Sequence, residues 1–218
     1  VGAVGCSAFI STSALATPTP LISIGASTSP GTPSTFATDN GTGFVSAAGT
    51  FGTFTLASVT ASGYPILPQP QIDTSSLDVS SSSAGSLYIY VTQQNLTSPT
   101  GINTFLSSFT ANLFTGVGIT SVTEKTFIST ANALYAGTLL SSYTDSAGGL
   151  STSKGTALSP SLSGYFSETI EYIITANGAG STNDTVDLTA IPEPGSFGIL
   201  GAGLGLLGLL AFRRRETF

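Results

Sequence analysis

From residue 54 to residue 190 the chain is patterned with period two, the spacing of strands that turn one face inward. Phe54, Leu56 and Ser58 alternate with Thr55, Ala57 and Val59. Leu87-Tyr88-Ile89-Tyr90-Val91-Thr92 is rich in β-branched and aromatic residues on both faces, which predicts a central strand. Ile119–Ile128 alternates less cleanly through Val122, Glu124 and Phe127. Phe166, Glu168, Ile170, Tyr172 and Ile174 share one face of a long strand, opposite Tyr165, Thr169, Glu171 and Ile173. Val186, Leu188 and Ala190 mark a last strand. Phe105, Phe109 and Leu113 fit either a helical or a strand period, and the threonines, serines and asparagine between them decide for a strand. The pattern leaves Ala131–Tyr143 open between a helical turn and a further strand.

Turn residues punctuate these runs at Asp39-Asn40-Gly41, Ser98-Pro99, Ala147-Gly148-Gly149 and from Asn177-Gly178 to Asn183-Asp184. Thr17–Thr35 and Pro65–Ser83, rich in proline and serine, read as long loops or loosely attached edge segments. No fixed-period repeat is present, which excludes a solenoid or propeller. Seven to ten strands without helical patterning predict an all-β fold, an antiparallel β-sandwich of immunoglobulin-like or jelly-roll-like type.

The period changes after Ile191. Pro192-Glu193-Pro194 and Gly195-Ser196 lead into an uncharged apolar run, Phe197–Phe212, closed by Arg213-Arg214-Arg215. At ~1.5 Å per residue this run makes one C-terminal hydrophobic helix of ~24 Å, a little short of a hydrocarbon core of ~30 Å, and adding Gly195 and Ser196 brings it to marginal spanning length. Three arginines are costly to carry across a bilayer, so they stop transfer and stay cytoplasmic, with the chain before Pro192 outside. The prolines flanking Glu193 keep that tripeptide extended and accessible.

The order of these parts resembles the PEP-CTERM sorting signal of exported bacterial proteins. The resemblance implies that a membrane-embedded exosortase recognises Pro192, Glu193 and Pro194, cuts nearby and discards the helix and basic tail. It implies the inner membrane as an intermediate and the cell surface or the extracellular space as the destination. The alternative from the residues alone is a permanent single-pass anchor, in which Gly201, Gly205 and Gly208 could pack two helices together.

At the other end, Val1–Ile10 is small and apolar and leads to Ala14-Leu15-Ala16 before Thr17-Pro18. Ala14 and Ala16 have the spacing that signal peptidase accepts, so residues 1–16 read as the remnant of a secretory signal peptide that begins inside its apolar region. The organisation expected is 1–16 leader, 17–190 β-sandwich ectodomain and 191–218 sorting signal. Cys6, the single cysteine, falls in the leader, so the expected mature domain has no disulfide and no thiolate.

Between residues 17 and 190, nine acids face only Lys125 and Lys154, a net charge of −7 that repels phosphate backbones and excludes nucleic-acid binding. The chain has no histidine, which removes imidazole bases and the usual zinc sites. Ser151-Thr152-Ser153-Lys154 matches a Ser-x-x-Lys pattern, but it lies among glycines without the accompanying Lys-Thr-Gly. Glu168 and Glu171, three apart on a strand, point to opposite faces and read as solvated strand charges or as gatekeepers against edge pairing. Asn183, Asp184, Asp187 and Asp145 could offer oxygens to calcium, but a turn and an outward strand residue account for them more simply. No catalytic residue, metal site or cofactor is expected, and the chain reads as non-enzymatic. The role expected is structural or interactive in the envelope, biofilm or exopolysaccharide matrix, with exosortase and signal peptidase as processing partners. The alternative is a carbohydrate-binding module that uses exposed tyrosines among Tyr88, Tyr90, Tyr165 and Tyr172.

Overall fold

A computed structural model describes residues 17–31, 33–113, 118–146 and 148–191. Twelve strands run through them: β1 Leu21–Ser27, β2 Ser34–Thr38, β3 Phe44–Phe51, β4 Phe54–Ser62, β5 Gln71–Ser81 and β6 Gly85–Leu96, then β7 Thr104–Leu113, β8 Ile119–Ser129, β9 Thr138–Asp145, β10 Gly149–Leu158, β11 Phe166–Ala176 and β12 Gly180–Ile191. They pair antiparallel into two six-stranded sheets, ordered β2-β1-β6-β11-β8-β9 and β10-β7-β12-β5-β4-β3. The described residues contain no helix, so the all-β expectation holds there and a sandwich accounts for the two sheets. The apolar run 197–212 lies outside the described residues.

The alternation read from the sequence fixes which side chains meet between the sheets. Ile170, Tyr172 and Ile174 of β11 stand opposite Val91, Ile89 and Leu87 of β6, and all six are fully buried. Phe105, Phe109, Val186 and Leu188 close the core from the second sheet, which settles the segment from Phe105 to Leu113 as a strand. In Ala131–Tyr143 there is no helical turn. The chain connects β8 to β9 through residues 130–137 and then enters the edge strand.

Three expectations are corrected. The Thr17–Thr35 stretch is not a loose segment: β1 lies between β2 and β6, with Ile22 and Ile24 fully buried opposite Gln93 and Val91. Prolines at 18 and 20 end just before the strand and therefore cost it no ladder bond. The Pro65–Ser83 stretch contains β5, an interior strand between β12 and β4. Its parity breaks because the pairing register shifts near Thr74, so Ile72 and Thr74 face inward and are followed by Leu77 and Val79. Such bulges hide a strand from any period-two search. The turn expected up to Asn183-Asp184 ends at residue 179, and both residues belong to β12.

Asp39 ties β1 to the connection that follows β2. Its buried carboxylate accepts from the Ile22 amide at 2.7 Å and the Gly43 amide at 2.8 Å, while its own amide donates to the Ile22 carbonyl at 2.9 Å. Replacing Asp39 with Ala leaves two amides without acceptors, and we expect a loss of about 1.5–3 kcal/mol of unfolding free energy in urea titrations. A loss below about 0.5 kcal/mol would show that water replaces the carboxylate.

Candidate functional site

β12 is the strand from which the C-terminal segment departs. It runs between β7 and β5, and its last residues stay in the ladder: Ala190 pairs with Phe105 and Ile191 with Thr104. The Ala190 amide also donates to the Pro70 carbonyl at 3.3 Å. The strand ends at Ile191, and the residue that follows in sequence is a proline, which has no amide to continue a ladder. Pro192, Glu193, Pro194 and Arg213–Arg215 lie outside the described residues, as do Ala14 and Ala16.

The antiparallel pairing brings the connections 39–43, 63–70, 97–103, 130–137 and 159–165 to this exit end. Side-chain amides hold two of them. Gln93 accepts from the Tyr64 amide at 3.2 Å and donates to the Tyr64 carbonyl at 2.9 Å. A Cβ on Gly63 would come within 2.4 Å of the Gln93 amide oxygen, so any larger residue there must displace the Gln93 side chain that holds the loop. Gln69 accepts from the amides of Thr97 at 2.8 Å and Ser98 at 3.1 Å, joining loop 63–70 to loop 97–103. Gly101 and Leu162 exchange two backbone bonds of 2.8 Å, which fastens loop 97–103 to 159–165.

This end is apolar. Eight large hydrophobic side chains are exposed among the described residues. Phe44, Tyr64, Ile66, Ile102, Leu134 and Leu158 sit in these connections or on the strand residue beside them. Leu139 is the second residue of β9 at the same end, which leaves only Leu150 at the other. The single ionisable side chain of Asp, Glu, Lys or Arg type in the five connections is Asp39, and it is buried.

Ionisable chemistry lies instead inside the sandwich. Glu124 on β8 and Glu168 on β11 are fully buried, and neither carboxylate has a hydrogen-bond partner. Burial, then Asp184 and Asp145, push Glu124 up to about 9. Burial also raises Asp184, to about 7, although the Thr182 hydroxyl and the Asn112 amide donate to it. Glu168 is raised well above the ordinary carboxylate value by burial and by Asp187. Tyr172, bonded to Thr74, is likewise raised by burial, then by Glu124. A surface cleft of about 250 Å³, lined by Ala57, Asp78, Val79, Ser80, Ser181 and Thr182, includes none of these buried carboxylates.

The sequence candidates are distributed as follows. Glu168 and Glu171 do take opposite faces, but neither is solvated: Glu168 is in the core, and Glu171, only 7% exposed, pairs with Lys125 at 3.3 Å. Asp184 and Asp145 are buried, whereas Asn183 bonds Asp78 and Asp187 accepts from Gln71 at 3.3 Å on the outer face. The four are therefore divided between faces, and no group of three or more acids among the described residues is arranged to hold a metal ion. Ser151 and Lys154 also alternate to opposite sides of β10. Tyr172 is core, Tyr90 is 5% exposed under Tyr135 at 5.8 Å between ring centroids, and Tyr88 and Tyr165 sit at opposite ends of the sandwich. These four tyrosines form no common platform. The buried acids were readable for Glu168, which shares parity with Ile170 and Tyr172, but not for Asp184, whose Asn-Asp context mimics a turn.

The PEP-CTERM protein-sorting motif family matches residues 190–215. No curated protein matches the chain. Among solved structures, the enzymatically active domain of tailspike protein 4 from bacteriophage CBA120 is similar over 69% of this chain and 20% of its own, at 14% identity and a TM-score of 0.36. This chain thus spans about a fifth of that structure. TmCBM61, solved with β-1,4-galactotriose, is similar over 70% of this chain and 90% of its own, at 12% identity and a TM-score of 0.34. The K1 cleaved adhesin domain of Lys-gingipain from Porphyromonas gingivalis W83 is similar over 68% and 99%, at 10% identity and a TM-score of 0.33.

Proposed function

We propose that this exported, exosortase-processed chain, marked by the PEP-CTERM motif at residues 190–215, is a non-enzymatic surface component whose β-sandwich is the delivered cargo. The apolar run 197–212 holds it in the inner membrane, cleavage near Pro192-Glu193-Pro194 frees it, and the sandwich then serves the envelope, biofilm or exopolysaccharide matrix. One observation carries the reading. The matched motif begins on the last laddered residues of β12, so cutting after Ile191 removes the signal without taking a strand from either sheet. Burial of Glu124 and Glu168 away from solvent supports a non-catalytic role. Within the sandwich we read β5–β12 as a jelly roll, because β5-β12-β7-β10 and β6-β11-β8-β9 interleave as two Greek keys.

Glu193→Ala tests the route. The variant should remain membrane-bound at full length, while the parent is recovered from the cell surface without its arginine tail by intact-mass measurement. Unchanged release of the variant would reduce the tripeptide to a linker. A carbohydrate-binding role is the second reading, favoured by Tyr64, a residue 39% exposed on a loop held by Gln93. Loss of polysaccharide binding in Tyr64→Ala would support it.

A further inference from the structure

Resting on the reading that residues 197–212 enter the bilayer, we propose that the exit end of the sandwich lies on the lipid surface until the chain is cut, with Ile66 and Ile102 in the headgroup–acyl boundary. Two independent observations point there. The first is the one-sided distribution of exposed apolar side chains: Ile66 is 57% exposed and Ile102 58%, both on loops at the end from which β12 departs. The second is the length of the leash. Only residues 192–196 separate the last laddered residue, Ile191, from the apolar run. Six steps at ~3.3–3.6 Å span at most ~22 Å, and the headgroup layer itself takes up ~5–8 Å of that. The exit end therefore cannot stand off the membrane by more than about half the height of a small domain.

The chemistry of this end suits that position. Loops 63–70, 97–103, 130–137 and 159–165 contain no charged residue, so none must be stripped of water as they meet lipid. Tyr64 offers an amphipathic ring of the kind enriched at the membrane interface. The Gln93 and Gln69 hydrogen bonds pre-order two of the loops, which lowers the entropy lost on contact. Tethering makes the contact intramolecular, so weak apolar affinity is enough. Once the leash is cut, an acidic domain with two lysines keeps no electrostatic hold on anionic lipid. Lipid contact and release are thus set by the same peptide.

The chain has no tryptophan, so a single introduced one reports its own surroundings. Full-length Ile66→Trp and Ile102→Trp, with Ser83→Trp in the β5–β6 connection at the far end as control, are reconstituted in phosphatidylcholine–phosphatidylglycerol vesicles with brominated acyl chains. We expect all three to float with the vesicles, and fluorescence at 66 and 102 to fall at least twofold while that at 83 is unchanged. Flotation with no quenching at 66 and 102 beyond that at 83 would overturn the lipid contact and leave the anchoring intact. Failure to float would overturn the anchoring and the contact with it. A spectral shift at 66 that required the processing protease in the membrane would overturn lipid as the occupant and assign this end to protein.

Discussion

Raising the pH from 5 to 9 is expected to destabilise the sandwich by several kcal/mol, and Glu124→Gln to remove its share of that loss, the remainder belonging to Asp184 and Glu168. In the unfolded chain a glutamate ionises near its ordinary value of 4.5, whereas in the fold Glu124 holds its proton up to about 9. Between these values the unfolded state binds fewer protons than the native state, so stability falls as pH rises. The stabilisation is complete below about pH 4.5 and gone above about pH 9. At about 1.4 kcal/mol per pH unit this window is worth on the order of 6 kcal/mol. Two of the groups facing Glu124 reinforce the direction: Asp184 on β12 and Asp145 on β9 are both acids. Tyr172 on β11 is itself raised by Glu124, and no cation is among the three. Asp184 repeats the effect over a lower window, from its ordinary 3.8 to about 7, because donors from Thr182 and Asn112 favour its charged form. Urea denaturation at intervals of one pH unit measures the slope directly. The Gln variant should lose less stability than the parent over this range and should be the more stable of the two at pH 9. Parallel profiles for the two proteins would mean that Glu124 is ionised and solvated in the folded state.

The buried acids show where sequence reading meets its limit. Parity alone put Glu168 on the face of Phe166, Ile170 and Tyr172, and that face is the core. Charge argued the other way, since an unpaired buried carboxylate is costly, and a raised proton affinity is how the fold accommodates it. Long β-branched and aromatic strands, such as β6 and β11, were legible because both sides of their pairing keep register over most of their length. β5 was not legible, because a bulge inverts its parity midway and serines fill its exposed positions. The sorting motif was fully legible because it is read as a linear peptide and needs no fold to assemble it. The gathering of exposed apolar side chains at the exit end was invisible for the opposite reason. Phe44, Ile66, Ile102, Leu134 and Leu158 are scattered over more than a hundred residues, and only the strand topology gathers them.

Ile22→Ala is expected to cost about as much as Ile89→Ala, roughly 2–5 kcal/mol each from lost transfer energy and the cavity left behind. The proline-rich surroundings of Ile22 predict a far smaller penalty, because a loosely attached segment can relax into the space. Three features of β1 make that relaxation difficult. Ile22 and Ile24 are both fully buried in the same core as Ile89. Pairing with β6 runs without a break from Leu21 opposite Gln94 to Ser27 opposite Tyr88. Asp39 holds the Ile22 amide at 2.7 Å, so the backbone at this residue is fixed from a third side. Gly25 adds a fourth constraint: the ring of Tyr135 lies where its Cβ would be, 2.6 Å away, so the outer face of β1 is covered as closely as the inner. Leu150→Ala, at 71% exposed, provides the contrast and should shift stability by no more than about 0.5 kcal/mol. A penalty at Ile22 as small as that at Leu150 would mean that β1 detaches before the rest of the sandwich unfolds. The two sheets would then owe their cooperativity to β3–β12 alone, with the N-terminal hairpin a removable cover over β6.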